Sequence, residues 1–393
     1  MGAEGKPLVL FVGAFPPEGK RIHGGMVSSC AALLASSFPD EVDLLLVDST
    51  QQEVPPPPVL RRAVHAARRV ARVVWLIERR RPDAVLLFAA LGLSLLEKGL
   101  CAGYARLRGI PALLSLRGGA FMDSSRRSPR YRRLFRPVLA NASYLVCQGD
   151  TWQSFFGEVY GIPAERCPVV QNWTASPDLL RIGEAREYGV RRRVRLLFVG
   201  WLDDTKGIFE LLEALARLAA TPGLPEVELV VAGEGNASEA AREWVRTREL
   251  ADRVTFLGWI DGEEKLRAFA QADVFVLPSH GEGLPNAMVE AMATGLPVVV
   301  TPVGSIPDVV ESGRQGVLVP VGDAGALARA LGPLVADPAA RERLGREGFR
   351  TARERFGVEE AVRKLTRIIH RAREESSGAR MPVSGIRTEQ EHP

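Results

Sequence analysis

Two α/β domains, each built on a parallel sheet, are what this sequence predicts, and three observations predict them. Its 393 residues exceed what one hydrophobic core organises. Short apolar runs alternate throughout with longer amphipathic segments, the pattern of strands joined by crossover helices. The runs are uninterrupted, as strands covered by helices on both faces must be. They also fall into two series, separated by a polar, arginine-rich stretch from Ala185 to Arg193.

In the first series, strands are expected at Leu8–Val12, Val42–Val47, Ala84–Phe88, Ala112–Leu116, Tyr144–Cys147 and Pro168–Val170, with helices near 25–37, 60–80, 93–107, 129–140 and 150–160. The Pro55–Pro58 run lies between a strand and a helix and is too short to link domains. The second series has strands at Arg195–Val199, Val227–Val231, Val254–Phe256, Val274–Leu277, Pro297–Val300 and Gly316–Val319. The boundary is placed near residue 188, giving domains 1–188 and 189–375. Past Asp323 the chain reads as helical to about Arg373, and 376–393, polar with Ser, Gly and Pro, is expected to be a disordered tail.

Apolar residues at 46% and charged residues at 25% describe an ordinary globular protein. The charge is unevenly spread, with 24 basic against 17 acidic residues up to position 188 and 27 against 30 beyond it. Arginine clusters at 61–62, 68–69, 72 and 79–81, and again at 126–127, 130, 132–133 and 136, supply much of the excess. Two readings stand: solvated helix faces in a chain with 45 Arg and six Lys, or a surface that meets the phosphates of anionic lipid or of a lipid-pyrophosphate acceptor. No nucleic-acid partner is expected. Cys30, Cys101, Cys147 and Cys167 have no C-x-x-C spacing and read as buried thiols in a reducing compartment. The first residues lack a secretory pattern, and the longest apolar run, Ala84–Leu96, has 13 residues, short of a bilayer span. These features point to a cytoplasmic protein, at most peripheral at the inner face of a membrane.

The most informative segment runs from Leu277 through Pro278-Ser279-His280-Gly281-Glu282-Gly283-Leu284-Pro285-Asn286 to Met292. It is a buried strand ending in a glycine-rich turn that feeds a helix, so the first N–H groups of that helix point toward whatever sits above the strand's carboxyl end. Ligands of open α/β sheets bind in that crevice. Glu282 stands on the turn and Glu290 about two helical turns on; together they can accept hydrogen bonds from a polyhydroxylated ligand while the helix start faces its anionic group. The alternative is that Glu282 caps the helix and Glu290 is an exposed helical charge. A second strand and turn, Leu196 to Ile208, places Lys206 at a helix mouth, where its charge can neutralise a diphosphate, or where it is a solvated turn lysine.

The run from Glu282 to Val298, with Glu290-Ala291-Met292-Ala293, Gly295 and Pro297-Val298 in place, resembles the E-G-x-x-x-x-x-x-E-A-M-A-x-G-x-P-V signature of family 4 retaining glycosyltransferases. Lys206-Gly207 and the Gly304-Ser305-Ile306-Pro307-Asp308 turn resemble further elements of that family. The resemblance implies the GT-B architecture, two Rossmann-like domains with parallel sheets facing an interdomain cleft. It also implies that the last helix, near 358–373, crosses back to the N-terminal domain. The N-terminal domain would bind the acceptor and the C-terminal domain a nucleotide-sugar, either a UDP-sugar or a GDP-sugar, with no cofactor.

In that reading Lys206 and Glu282 are the catalytic residues, Lys206 stabilising the departing diphosphate and Glu282 binding sugar hydroxyls. Gly283, Leu284, Pro285 and Asn286 contact donor sugar and phosphate, together with Gly24 and Gly25 of the first loop, and Glu290 holds the ribose. Gly258 and Trp259 resemble the loop that holds the base. His23 and Arg117 are acceptor or phosphate contacts, Arg117 standing where the family often has His; Trp201 stands where it often has Arg, and is alternatively a packing residue. No Asp-x-Asp pair occurs, so metal-independent transfer of a hexose-type sugar to a glycan, lipid-linked or small-molecule acceptor is expected, in bacterial polysaccharide or glycoconjugate synthesis. The competing functions are a nucleotide-sugar epimerase of the same architecture and a non-catalytic nucleotide-sugar-binding protein. A nicotinamide oxidoreductase is remote, because Gly233-Glu234-Gly235 lacks the third glycine.

Overall fold

The expected apolar runs pair into two separate parallel sheets in the computed structural model, which describes residues 5–15, 24–50 and 57–378. The first sheet comprises β1 (Leu8–Gly13), β2 (Asp43–Asp48), β3 (Ala84–Ala89), β4 (Ala112–Leu116) and β5 (Tyr144–Val146) in the order β2-β1-β3-β4-β5. The second comprises β6 (Arg193–Val199), β7 (Glu226–Ala232), β8 (Val254–Gly258), β9 (Val274–Leu277), β10 (Val298–Val300) and β11 (Gly316–Leu318) in the order β11-β10-β9-β6-β7-β8. Every residue of β3 and β4 is buried, which is why their sequences show no polar alternation. The strand order reverses between β1 and β3 in one sheet and between β6 and β9 in the other, and at each reversal two neighbouring loops diverge and leave a crevice.

One face of the first sheet is covered by the helices Val59–Arg80, Leu93–Leu107 and Pro129–Asn141, whose Val73, Ile77, Leu95, Cys101, Phe135 and Leu139 join its core. The other face is covered by the helix Gly25–Leu34 and by the last helix, Val358–Gly378. Val362, Leu365 and Ile369 of that last helix share one core with Val9, Phe11, Leu86 and Phe88 of the first sheet, so the chain returns to that sheet after completing the second. Its helical path continues to Gly378, past residue 376 where a disordered tail is expected; 379–393 lie outside the described residues.

Other departures have local causes. Pro168–Val170 forms only an isolated bridge, Cys147 to Val169, because the first sheet ends at β5. The expected helix 25–37 stops at Leu34 and a short turn, Phe38–Glu41, follows. Two helices, Ala120–Arg127 and Pro177–Glu184, stand where the sequence reading places none; each has only 8 residues, about two turns, over which an apolar period is hard to tell from a loop. Ala175 and Leu179 already belong to the second core, ahead of residue 188. The arginine-rich stretch is pinned rather than free: the buried Arg341 guanidinium donates to Gly189 O at 2.7 Å, and Arg186 donates to Phe269 O and Ala272 O at 2.7 and 2.8 Å. All four cysteines are buried free thiols. Among the described residues, no helix is long and apolar enough to cross a membrane.

Candidate functional site

Because β6 and β9 are neighbours at the strand-order reversal, the loops that leave their carboxyl ends run side by side. Gly207, at φ +70°, allows the contact: a Cβ there would lie 2.2 Å from Pro278 O. The His280 N–H donates to Thr205 O at 2.7 Å and ties the loops together. In consequence Lys206 and Glu282, 76 positions apart, meet with Nζ 2.6 Å from Oε1. The Ser279 hydroxyl donates to the same Oε1 at 2.7 Å. Behind them the loop after β10 presses on the backbone, the Ser305 N–H donating to Gly283 O at 2.7 Å and Gly304, at φ +58°, leaving room where a Cβ would meet Glu282 O at 2.1 Å.

The helix Asn286–Ala293 starts beside this pair, and the N–H groups of its first turn lack acceptors within the helix. Glu290 lies on it, buried, and pairs with Lys265 Nζ at 2.7 Å. It is therefore not an exposed helical charge. Sequence reading missed Lys265, which sits on the helix Gly262–Gln271 with no motif around it; its membership among only six lysines was the available signal. Gly258, at φ +70°, turns the chain after β8, and Trp259 packs edge-on against Trp201, ring centres 4.6 Å apart. Gly233 and Gly235 serve backbone packing: a Cβ on either would lie about 2 Å from Gly200 O or Leu202 O, at 1.8 and 2.1 Å.

The first domain closes on the same loop. Gly119 lies so near that a Cβ would fall 1.7 Å from Glu282 O, and one on Gly283 would fall 2.2 Å from Gln148 Oε1. Gly24, at φ +144°, precedes the helix Gly25–Leu34, and Gly25 O accepts from Asn286 Nδ2 at 2.8 Å. Asn172 is the centre of this seam. Its Nδ2 donates to Leu284 O and Asn286 Oδ1 at 2.5 and 2.7 Å, and its Oδ1 accepts from Arg117 Nη1 and Gln148 Nε2, both at 2.8 Å. Neither Asn172 nor Gln148 belongs to any recognisable pattern in the sequence, and nothing there marks them.

Arg117 is turned inward. Its guanidinium lies between the rings of Phe88 and Trp173, 4.7 and 4.6 Å from their centres, and burial lowers its pKa from 12.5 to about 10. Nη2 has no hydrogen-bond partner. Held this way, the side chain braces Asn172 rather than reaching into the crevice. His23 lies outside the described residues. Lower in the seam, Thr151 donates from N–H and Oγ1 to the Asp308 carboxylate at 3.0 and 2.7 Å, fixing the Gly304–Asp308 turn to the first domain.

The arrangement brings together Lys206, Glu282, the start of the 286–293 helix, Glu290 and, across the seam, Gly24 and Gly25. Two carboxylates, each with one lysine, border the first amide N–H groups of the 286–293 helix. Carboxylate oxygens accept from hydroxyls, and ammonium and amide groups attract phosphate. Among the described residues no cluster of His, Cys, Asp or Glu is suited to a metal ion.

Comparison with known proteins agrees with the geometry. Residues 30–173 match the Glycosyl transferase 4-like domain, and residues 193–337 match Glycosyl transferases group 1. The chain is similar to a D-inositol 3-phosphate glycosyltransferase of Corynebacterium jeikeium, 30% identical over 249 residues that take in 59% of each chain. It is also similar to a lipopolysaccharide core biosynthesis glycosyltransferase of Rhizobium meliloti, 31% identical over 191 residues, 49% of this chain and 54% of that one. The chain thus spans between half and three fifths of the length of these curated relatives. The crystal structure of Anabaena HepE in complex with UDP and glucose superposes with a TM-score of 0.69 at 21% identity, covering 93% of this chain and all of that one. The architecture is GT-B.

Proposed function

Because the chain belongs to the glycosyl transferases of group 1, we propose that it moves a hexose-type sugar from a UDP-sugar or GDP-sugar to a hydroxyl of a glycan, lipid-linked or small-molecule acceptor. The observation that carries this reading is the Lys206–Glu282 pair beside the start of the 286–293 helix. A diphosphate seated there draws the Lys206 ammonium and the amide N–H groups of the helix toward its oxygens. Glu282 then accepts from the sugar hydroxyls and Glu290 from the ribose, while Gly258 and Trp259 border the base. Gly24, Gly25 and Gly283 let backbone approach the phosphates; Leu284, Pro285 and Asn286 line the donor. Arg117 positions Asn172 and through it Asn286.

Transfer proceeds with retention. The bond between the anomeric carbon and the phosphate oxygen breaks, and the electron pair leaves with the nucleoside diphosphate, whose charge Lys206 offsets. The acceptor oxygen bonds to the same face of that carbon and its proton passes to the departing phosphate. No metal takes part. The boundary near residue 188 divides an acceptor-binding half from a donor-binding half. The relatives named for lipopolysaccharide core biosynthesis and for inositol 3-phosphate support a place in bacterial glycoconjugate synthesis; the acceptor is proposed to lie at the inner face of a membrane. Incubation with UDP- and GDP-sugars tests this: nucleoside diphosphate release above background, unaffected by EDTA and lost in both Lys206→Ala and Glu282→Ala, is expected. Release that requires added magnesium, or that survives both substitutions, contradicts it.

A further inference from the structure

The outer surface of the first domain carries a feature that sugar transfer does not use. The helices Val59–Arg80, Leu93–Leu107 and Pro129–Asn141 lie side by side on one face of the sheet, and all three leave large apolar side chains in water. On the first, Leu60, Val64 and Trp75 recur at helical spacing on the side opposite the buried Ala66, Val73 and Ile77, with Leu60 78% and Trp75 60% exposed. Leu100 and Leu107 of the second helix and Leu134 of the third extend the apolar surface, Leu107 being 82% exposed.

Exposed arginines surround it: Arg68, Arg72 and Arg79 on the first helix, Arg130, Arg133 and Arg136 on the third. The three helices contain only two acids. Glu97 is buried and taken by Arg69 and Lys98, at 2.6 and 3.1 Å, and Glu78 is paired with Arg108 at 2.8 Å. A second copy docking here would set one arginine-rich face against another and meet like-charge repulsion. An anionic lipid surface is complementary to both features, accepting apolar side chains and a tryptophan at the headgroup boundary while phosphates meet the guanidinium groups.

We propose that the apolar, arginine-rimmed surface formed by the helices 59–80, 93–107 and 129–141 docks the protein on an anionic lipid bilayer without spanning it. This deepens the reading of an acceptor at a membrane face and rests on that reading for its purpose, not for its geometry. The test is sedimentation of the full chain with vesicles of phosphatidylcholine alone and of phosphatidylcholine and phosphatidylglycerol in equal parts. Binding only to the mixed vesicles, and weaker at high salt, is expected. Arg68→Gln, Arg72→Gln and Arg133→Gln should each lower the partition about fivefold, and Trp75→Ser about tenfold, with unchanged thermal midpoints because all four side chains are exposed or surface-facing. Equal binding to both vesicle types, binding to neither, or a chain that dimerises through Trp75 and becomes monomeric in Trp75→Ser would overturn the proposal. A thermal shift with UDP, measured on the same samples, reports the donor site separately, so that loss of vesicle binding and loss of nucleotide binding are told apart.

Discussion

Replacing Lys206 by alanine separates the two things its ammonium does. In the free protein it neutralises Glu282 at 2.6 Å, and the side chains of the pair are 20% and 10% exposed. Exposed pairs contribute up to about 1 kcal/mol, and breaking a fully buried one costs about 3–5 kcal/mol. The Lys206–Glu282 pair lies between those limits, so Lys206→Ala should lower stability by about 1–2 kcal/mol, moderated by the Ser279 hydroxyl that still donates to Glu282. Its effect on turnover should be far larger. A preorganised charge facing a departing anion acts mainly in the transition state, and losing one such group costs about 10²–10³ in kcat, or roughly 3–4 kcal/mol. Denaturant unfolding and steady-state release of nucleoside diphosphate measure the two quantities on one sample. Lys206→Arg, which keeps the charge in a different shape, should recover part of the rate. Turnover of Lys206→Ala within about threefold of the parent would refute the assigned role, as would a loss of turnover that merely follows the unfolded fraction.

Three further outcomes follow from the seam and the core. Glu290→Ala should weaken donor binding about tenfold, because a carboxylate hydrogen bond worth about 1.5 kcal/mol is lost; Lys265→Ala should change it less, since Lys265 only pairs with that carboxylate, and calorimetric titration with nucleotide checks both. Gly119→Ala forces the loop after β4 away from Glu282 O, where its Cβ would sit at 1.7 Å, and should cost about 1–3 kcal/mol of stability together with nearly all turnover. Burial raises the Cys30 and Cys101 thiols to about 11 and 12, from 9.0. The folded chain therefore holds protons that the unfolded chain releases above pH 9, so this stability is complete below pH 9 and falls by up to about 1.4 kcal/mol per pH unit per thiol on raising the pH toward 11. Denaturant midpoints across that range should show the slope, and Cys30→Ala should reduce it.

The two sheets were legible because most strands hold a continuous apolar run and crossover helices such as Val59–Arg80 and Ile208–Ala219 have a clear period, the two signals that a doubly covered sheet imposes. The Glu282 to Val298 run was legible for a related reason: a glycine turn, a helix start and a glycine stop must follow in fixed order to bring one strand's end to the next. Asn172 and Gln148 were not, because their importance comes from Asn172 meeting Arg117, Gln148 and Asn286 across 55, 24 and 114 positions of chain. The inward turn of Arg117 depended on Phe88 and Trp173 reaching the same point from separate segments, which no local pattern encodes. Pro168–Val170 looked like a strand for its apolar character alone, yet a strand also needs a neighbour, and only Cys147 offers one.

A crystal of the protein soaked with UDP or GDP tests the donor site most directly. Sugar transfer at this site requires the diphosphate beside Lys206 and the start of the 286–293 helix, with the ribose against Glu290 and the Lys206–Glu282 contact opened. Nucleotide bound elsewhere, with Lys206 still paired to Glu282, would contradict it.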